Sequence, residues 1–139
     1  MNRVAHGAKR IAKQHMGYSK DMAKFRFEDL EIWKLAIEIA RELFAVANEL
    51  ERKKLFRFAE QLRGCALSMS NNIAEGSGSN SKREFHQFLN IARRSTFETA
   101  NIVIIFSDEK LIDLQAKACL LDRLDHLCRQ ITNFQKTLL

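Results

Sequence analysis

QLRGCALSMSNNIAEGSGSNSKREFHQFLNIARRSTFE, running from Gln61 to Glu98, carries two helix-patterned stretches on either side of one interior turn. Before the turn, Leu55, Phe58, Leu62, Cys65, Met69 and Asn72 recur at intervals of three and four, which is the spacing of one helix face. After it, Phe85, Phe88, Ala92, Ser95, Thr99, Ile102 and Phe106 do the same. Large residues at both ends of this second seam and small ones in its middle predict a close helix crossing there. The turn itself, Gly76-Ser-Gly-Ser-Asn-Ser81, is too short for a phosphate-binding loop and has no strand before it, so Gly76-Ser-Gly78 reads as a helix C-cap. Ser81-Lys-Arg-Glu84 reads as a capping box: the hydroxyl accepts from the Glu84 N–H and the Glu84 side chain reaches back.

Working outward, Leu30, Trp33, Ile37, Ala40, Phe44 and Ala47 form a heptad seam in a first helix expected to open near Phe27, with Glu28, Asp29 and Glu31 complementing its macrodipole. Glu51-Arg-Lys-Lys54 puts charge on every face of one turn, which places a helix–helix connection around Glu49–Lys53; one long kinked helix is the alternative. Asp108-Glu-Lys110 ends the third helix. Asp113 is positioned to cap a fourth, whose seam is Leu120, Leu124, Leu127, Ile131, Phe134 and Leu138. Four amphipathic helices with short connections predict an all-α, antiparallel, up-down-up-down four-helix bundle over residues 25–139. Leu35, Ile39, Val46, Phe97, Ile104, Ile105 and Leu121 lie off the seams. That surplus of apolar surface predicts a homo-oligomer.

With 139 residues, no proline and five glycines, the chain suits one domain of long helices. Its longest purely apolar run, Ile102–Phe106, is far too short to cross a bilayer, and residues 1–21 lack the apolar block of a signal peptide, so a cytoplasmic protein with no membrane contact is expected. Cys65, Cys119 and Cys128 are odd in number and fall in apolar stretches, which points to free, buried thiols.

The net charge of +6 is concentrated at one end. Residues 1–26 carry seven Lys and Arg against Asp21 alone, whereas residues 27–139 carry 16 basic and 16 acidic residues. Residues 1–24 therefore read as a basic N-terminal extension, able to track phosphates or simply solvated. Translation from Met22 would leave 18 basic against 16 acidic residues.

No P-loop, dinucleotide turn, nucleophile elbow or zinc spacing occurs. Asp122, Asp125 and His126 resemble part of a di-metal site, but such sites draw ligands from all four helices, and here one helix supplies them all. No metal, cofactor or catalysis is expected.

The string Gln61-x-Arg63 through Ser68-x-x-Asn71-Asn72-Ile-Ala-Glu-Gly76, then Glu84-Phe-x-x-Phe88-Leu and Ser95-x-x-Glu98, resembles the four-helix-bundle proteins encoded in 23S ribosomal RNA intervening sequences. Phe27-Glu-Asp-Leu30-Glu-Ile-Trp33 is similar to the start of that family's first helix. The similarity runs from about Phe25 to the C-terminus. The family is similar in fold to the accessory variability determinant of diversity-generating retroelements, a pentameric bundle that binds nucleic acid and a reverse transcriptase. The resemblance thus implies a bundle that assembles as a pentamer and handles RNA or DNA. Where the family has proline, this chain has Ser70-Asn71-Asn72, so a second helix without a kink is expected.

The matched polar residues predict an Arg63–Glu98 ion pair, with Ser68, Asn72 and Ser95 completing a hydrogen-bonded seam; the other reading makes the cluster a partner-binding surface. Phosphate contacts are expected at the cations Arg52, Lys53, Lys54, Arg57, Lys82, Arg83, Arg93 and Arg94, while most phenylalanines sit on seams and offer no stacking platform. Two functions follow: a non-catalytic, oligomeric nucleic-acid-binding bundle, or a scaffold that binds another protein without nucleic acid.

Overall fold

A computed structural model describes residues 23–139. The basic extension read over residues 1–24 therefore lies outside the described residues except for Ala23 and Lys24. Four helices follow a short 3-10 turn at Arg26–Asp29: α1 (Glu31–Arg52), α2 (Phe56–Ser77), α3 (Lys82–Asp108) and α4 (Leu114–Lys136). Among the described residues there is no strand. Each helix packs along its chain neighbour, and a thinner α1–α4 contact closes the bundle. This is the up-down-up-down arrangement that short connections impose.

The core runs the length of the bundle through Ile39, Leu43, Leu62, Met69, Ile73, Leu89, Val103, Leu124, Leu127 and Ile131, all fully or almost fully buried. Buried alanines, including Ala36, Ala47, Ala59, Ala66 and Ala92, let the helices approach closely. The α3 seam lies where its spacing predicts, and so does the α4 seam, although Phe134 and Leu138 are only half-buried.

On α1 the register differs. The buried line is Ile32, Ala36, Ile39, Leu43, Ala47 and Leu50, while Trp33, Ile37 and Phe44 sit half-buried at its edge. Apolar residues cover much of this helix. The line bearing the smaller side chains faces inward, where neighbouring helices must come close, and the bulky ones cover the rim. Leu35 and Val46 are half-buried and Ile39 is fully buried, so α1 contributes little to the expected surplus of apolar surface.

The first helix also starts later than Phe27. Phe25 N–H donates to the Glu28 carboxylate at 2.7 Å, Leu30 is extended, and the 3-10 turn folds back across the bundle end. There Phe27 lies against Trp33 (ring centroids 5.2 Å apart) and Arg26 lies 5.6 Å over the Phe85 ring.

Two turns use the same device. After α1, Leu55 N–H bonds to Leu50 C=O and Lys54 N–H to Glu51 C=O, each at 2.9 Å. After α3, Leu111 N–H bonds to Phe106 C=O at 2.8 Å and Lys110 N–H to Ser107 C=O at 2.9 Å. These are Schellman closures, and each puts a lysine in the left-handed region, Lys54 at φ 64° and Lys110 at φ 61°. The charged tetrad Glu51–Lys54 thus marks the connection one or two residues before it occurs.

The turn between α2 and α3 is different. α2 continues without interruption through Asn71, Asn72 and Gly76 to Ser77, and Gly78 at the C-cap keeps an ordinary right-handed φ of −84°. Gly76 is therefore not a terminal cap. A Cβ there would lie 2.7 Å from Phe88 Cβ and 2.8 Å from Phe85 Cδ2, so its hydrogen lets α3 start directly against α2. At the start of α3, Ser81 Oγ accepts from Glu84 N–H at 3.1 Å, and at α4 Asp113 Oδ1 accepts from Ala116 N–H at 2.7 Å.

Candidate nucleic-acid surface

Antiparallel topology distributes the eight candidate cations over three places. Arg52, Lys53, Lys54 and Arg57 surround the α1–α2 turn, all exposed. Lys82 and Arg83 open α3 at the far end, separated from them by the length of α2, roughly 30 Å at ~1.5 Å per residue. Arg94 is exposed midway along α3, and Arg93 is half-buried with its guanidinium 5.9 Å above the Phe97 ring. They do not form one patch on a single bundle.

Among the described residues, cations divide into those tied to a carboxylate and those, such as Arg41, Lys110 and Lys117, that are not. Lys34, Arg123 and Arg129 are neutralised by Glu31, Glu42 and Asp125. Of the eight candidates, only Arg52 has such a partner, Glu49. Among the described residues no carboxylate lies within ion-pair distance of Lys53, Lys54, Arg57, Lys82, Arg83, Arg93 or Arg94.

The structure adds an aromatic that spacing did not single out. Phe56, the first residue of α2, is 56% exposed between Lys54 and Arg57. Phe25, Phe58 and Phe97 are exposed as well, so the expectation that phenylalanines offer no stacking surface fails at Phe58 on the α2 seam, at Phe25 and Phe56, and on the outer face of α3. Phe58 remains tied edge-on to Phe106, and Phe25 is stacked on Phe27, which leaves Phe56 the ring best placed among cations.

The polar residues matched across α2 and α3 come together only in part. Ser68 and Ser95 hydroxyls are 2.8 Å apart, and Asn72 Nδ2 donates to Ser68 C=O at 2.7 Å. Thr99 Oγ1 donates to Ser95 C=O at 2.7 Å, one turn further along. Arg63 is elsewhere. Its guanidinium donates to Glu51 at 2.8 Å, Glu60 at 2.9 Å and Asn48 at 3.0 Å, and the hydrogen bonds to Glu51 and then Glu60 raise its pKa above the ordinary arginine value. The expected Arg63–Glu98 pair is not formed. Five residues along a helix rotate Arg63 by about 140° from Ser68, and this turns it toward the end of α1. Glu98 is exposed and acts instead on Cys65: burial first, and the Glu98 charge second, push that thiol above its usual range.

The cysteines differ from one another. Cys65 is buried, Cys128 is half-buried and Cys119 is exposed, because one step from the buried Leu120 turns it out of the core. Asp122, Asp125 and His126 stay on the surface of α4, where Asp125 pairs with Arg129 at 2.7 Å and His126 bonds to Gln130 at 3.1 Å. Among the described residues, no three His, Cys, Asp or Glu side chains converge on a metal-sized point, and no helix is long and apolar enough to cross a membrane.

A family model described as 23S rRNA-intervening sequence protein matches residues 28–133, from just before α1 to the last turn of α4. No curated protein matches the chain.

Proposed function

The chain belongs to the 23S rRNA-intervening sequence protein family, and we propose that it acts without catalysis, as a helical bundle that assembles with copies of itself and binds RNA or DNA through exposed cations. The observation that carries this reading is that seven of the eight candidate cations have no carboxylate partner among the described residues. A surface lysine or arginine left unpaired retains its full charge for a phosphate, and the counterions it releases make the affinity salt-dependent. At the α1–α2 turn, Phe56 adds a ring on which a base can stack, a contact indifferent to sequence. Because each bundle offers only small cationic groups, repetition around an assembly supplies the field that one copy lacks.

The exposed apolar residues of α3, Phe97 and Ile104, favour a second reading, a scaffold that binds another protein. Fluorescence anisotropy of labelled single-stranded RNA and DNA, titrated from low to high salt, separates the two. The first reading expects binding that weakens steeply with salt, with the triple variant K53A/K54A/R57A flattening the log–log slope by about one for each phosphate it no longer engages. Absence of binding to either nucleic acid at low salt overturns it. The same titration on a form beginning at Met22 reports what the preceding basic residues add.

A further inference from the structure

Among the described residues four phenylalanines are exposed, and three of them are engaged. Phe25 stacks on Phe27, Phe58 meets Phe106 edge-on, and Phe97 lies under the Arg93 guanidinium. Phe56 alone has neither a ring nor a guanidinium against it. The turn that presents it is closed by backbone bonds, Leu55 N–H to Leu50 C=O and Lys54 N–H to Glu51 C=O. A ring held in place before contact loses little entropy on binding.

The charge beside this ring is positive because the neighbouring acids are already engaged. The carboxylates that flank the turn in sequence, Glu49, Glu51 and Glu60, pair with Arg52 and Arg63 and leave Lys53, Lys54 and Arg57 uncompensated. No acidic residue sits in the first turn of α2, so its dipole adds to the same positive field.

We propose that the α1–α2 turn binds unpaired nucleic acid in preference to duplex, with Phe56 stacked on a base and Lys53, Lys54 and Arg57 on the flanking phosphates. The inference rests on the nucleic-acid reading above and names the form of the strand. In a duplex both faces of an interior base are covered by its neighbours, so a ring reaches one only by unstacking a step. In a single strand the faces open readily, and every base has one. The phenyl ring carries no hydrogen-bonding group, so the preference is for form and not for sequence. The lysines beside the ring argue against a protein partner, since lysine is depleted at protein interfaces. Lys53–Arg57 spans at most about 14 Å at ~3.5 Å per residue, so each copy holds only a few nucleotides, and several copies can share one strand.

Fluorescence anisotropy of the full chain at low salt tests this with four probes: a short labelled RNA, the DNA of the same sequence, and the duplex of each. F56A should weaken single-strand binding about tenfold or more and leave duplex binding within about twofold. F56L should behave like F56A, whereas F56W should restore binding, because leucine offers no stacking face and tryptophan does. The triple variant K53A/K54A/R57A should weaken both forms. Circular dichroism checks that the helices remain. A loss confined to RNA or to DNA still supports the inference and tells which strand the turn takes. Failure of the wild-type chain to bind any of the four probes overturns the nucleic-acid reading and this inference with it. If the probes bind but F56A leaves single-strand affinity unchanged, or weakens duplex binding equally, this inference alone is overturned. Unchanged strand binding by F56A with altered sedimentation places the ring in a protein contact and likewise overturns it.

Discussion

Ser68 and Ser95 meet across the α2–α3 crossing with their hydroxyl oxygens 2.8 Å apart, at the point where the α3 seam narrows to small side chains. Ser95 also bonds to Ile91 C=O at 3.1 Å, so when its single proton goes there, Ser68 donates to Ser95. S95A removes an acceptor that Ser68 shares with little water and should cost about 1 kcal/mol. S95L forces the helices apart and should cost more, about 1–3 kcal/mol beyond the alanine variant. Urea unfolding measures both, and equal losses would mean that the crossing is not tight.

Gly64 and Gly76 sit on the same helix and should respond to alanine with opposite signs. A Cβ at Gly64 meets nothing within 4 Å, so G64A should stabilise by about 0.5–1 kcal/mol, the ordinary gain in an exposed helix interior. A Cβ at Gly76 lands 2.7 Å from Phe88 Cβ, an atom that cannot swing away without its backbone. G76A should therefore destabilise by about 1–3 kcal/mol despite the better helix propensity. Thermal unfolding of the two variants side by side decides it, since a gain at both positions would deny the close approach of α3.

Lys54 and Lys110 hold left-handed backbone conformations that L residues occupy at a cost of about 1–2 kcal/mol and glycine occupies freely. K54G and K110G should each raise stability by about 1 kcal/mol, less the flexibility that glycine gives the unfolded chain. Because the two turns lie on different connections, their effects should add in a urea titration of the double variant.

These lysines also show where sequence reading stops. The seams of α3 and α4 are legible because each of those stripes is bounded by polar residues. On α1 the apolar residues spread too far round the helix for spacing alone to choose between the Ile32–Leu50 line and the Trp33–Phe44 line, and close packing buries the one without aromatic rings, taking in Ala40 of the other. The α1–α2 turn is legible from its charge, but no glycine announces its left-handed residue. Among the polar residues, counting turns across an antiparallel pair brings Ser68, Asn72 and Ser95 together. It misplaces Arg63, because that long side chain reaches the end of α1 and takes Glu51 and Asn48, contacts that an α2–α3 pairing does not contain. The scattering of the cations over both bundle ends and the middle of α3 follows from topology, whereas the lack of carboxylates around most of them depends on rotamers that spacing does not specify.

The three thiols should react in the order of their exposure. Cys119 is open to solvent, Cys128 is half-covered, and Cys65 is buried in the α2–α3 seam, where burial and the neighbouring Glu98 both disfavour the thiolate. Only the thiolate attacks an alkylating reagent, so burial and pKa act on Cys65 in the same direction. Iodoacetamide under native conditions should add one fast label at Cys119. Cys65 should follow more slowly by a factor of about 100 or more, set by the free energy of opening the seam. In urea all three should label at comparable rates. Peptide mass spectrometry assigns the sites, and native labelling of Cys65 as fast as Cys119 would show that α2 and α3 do not close over it.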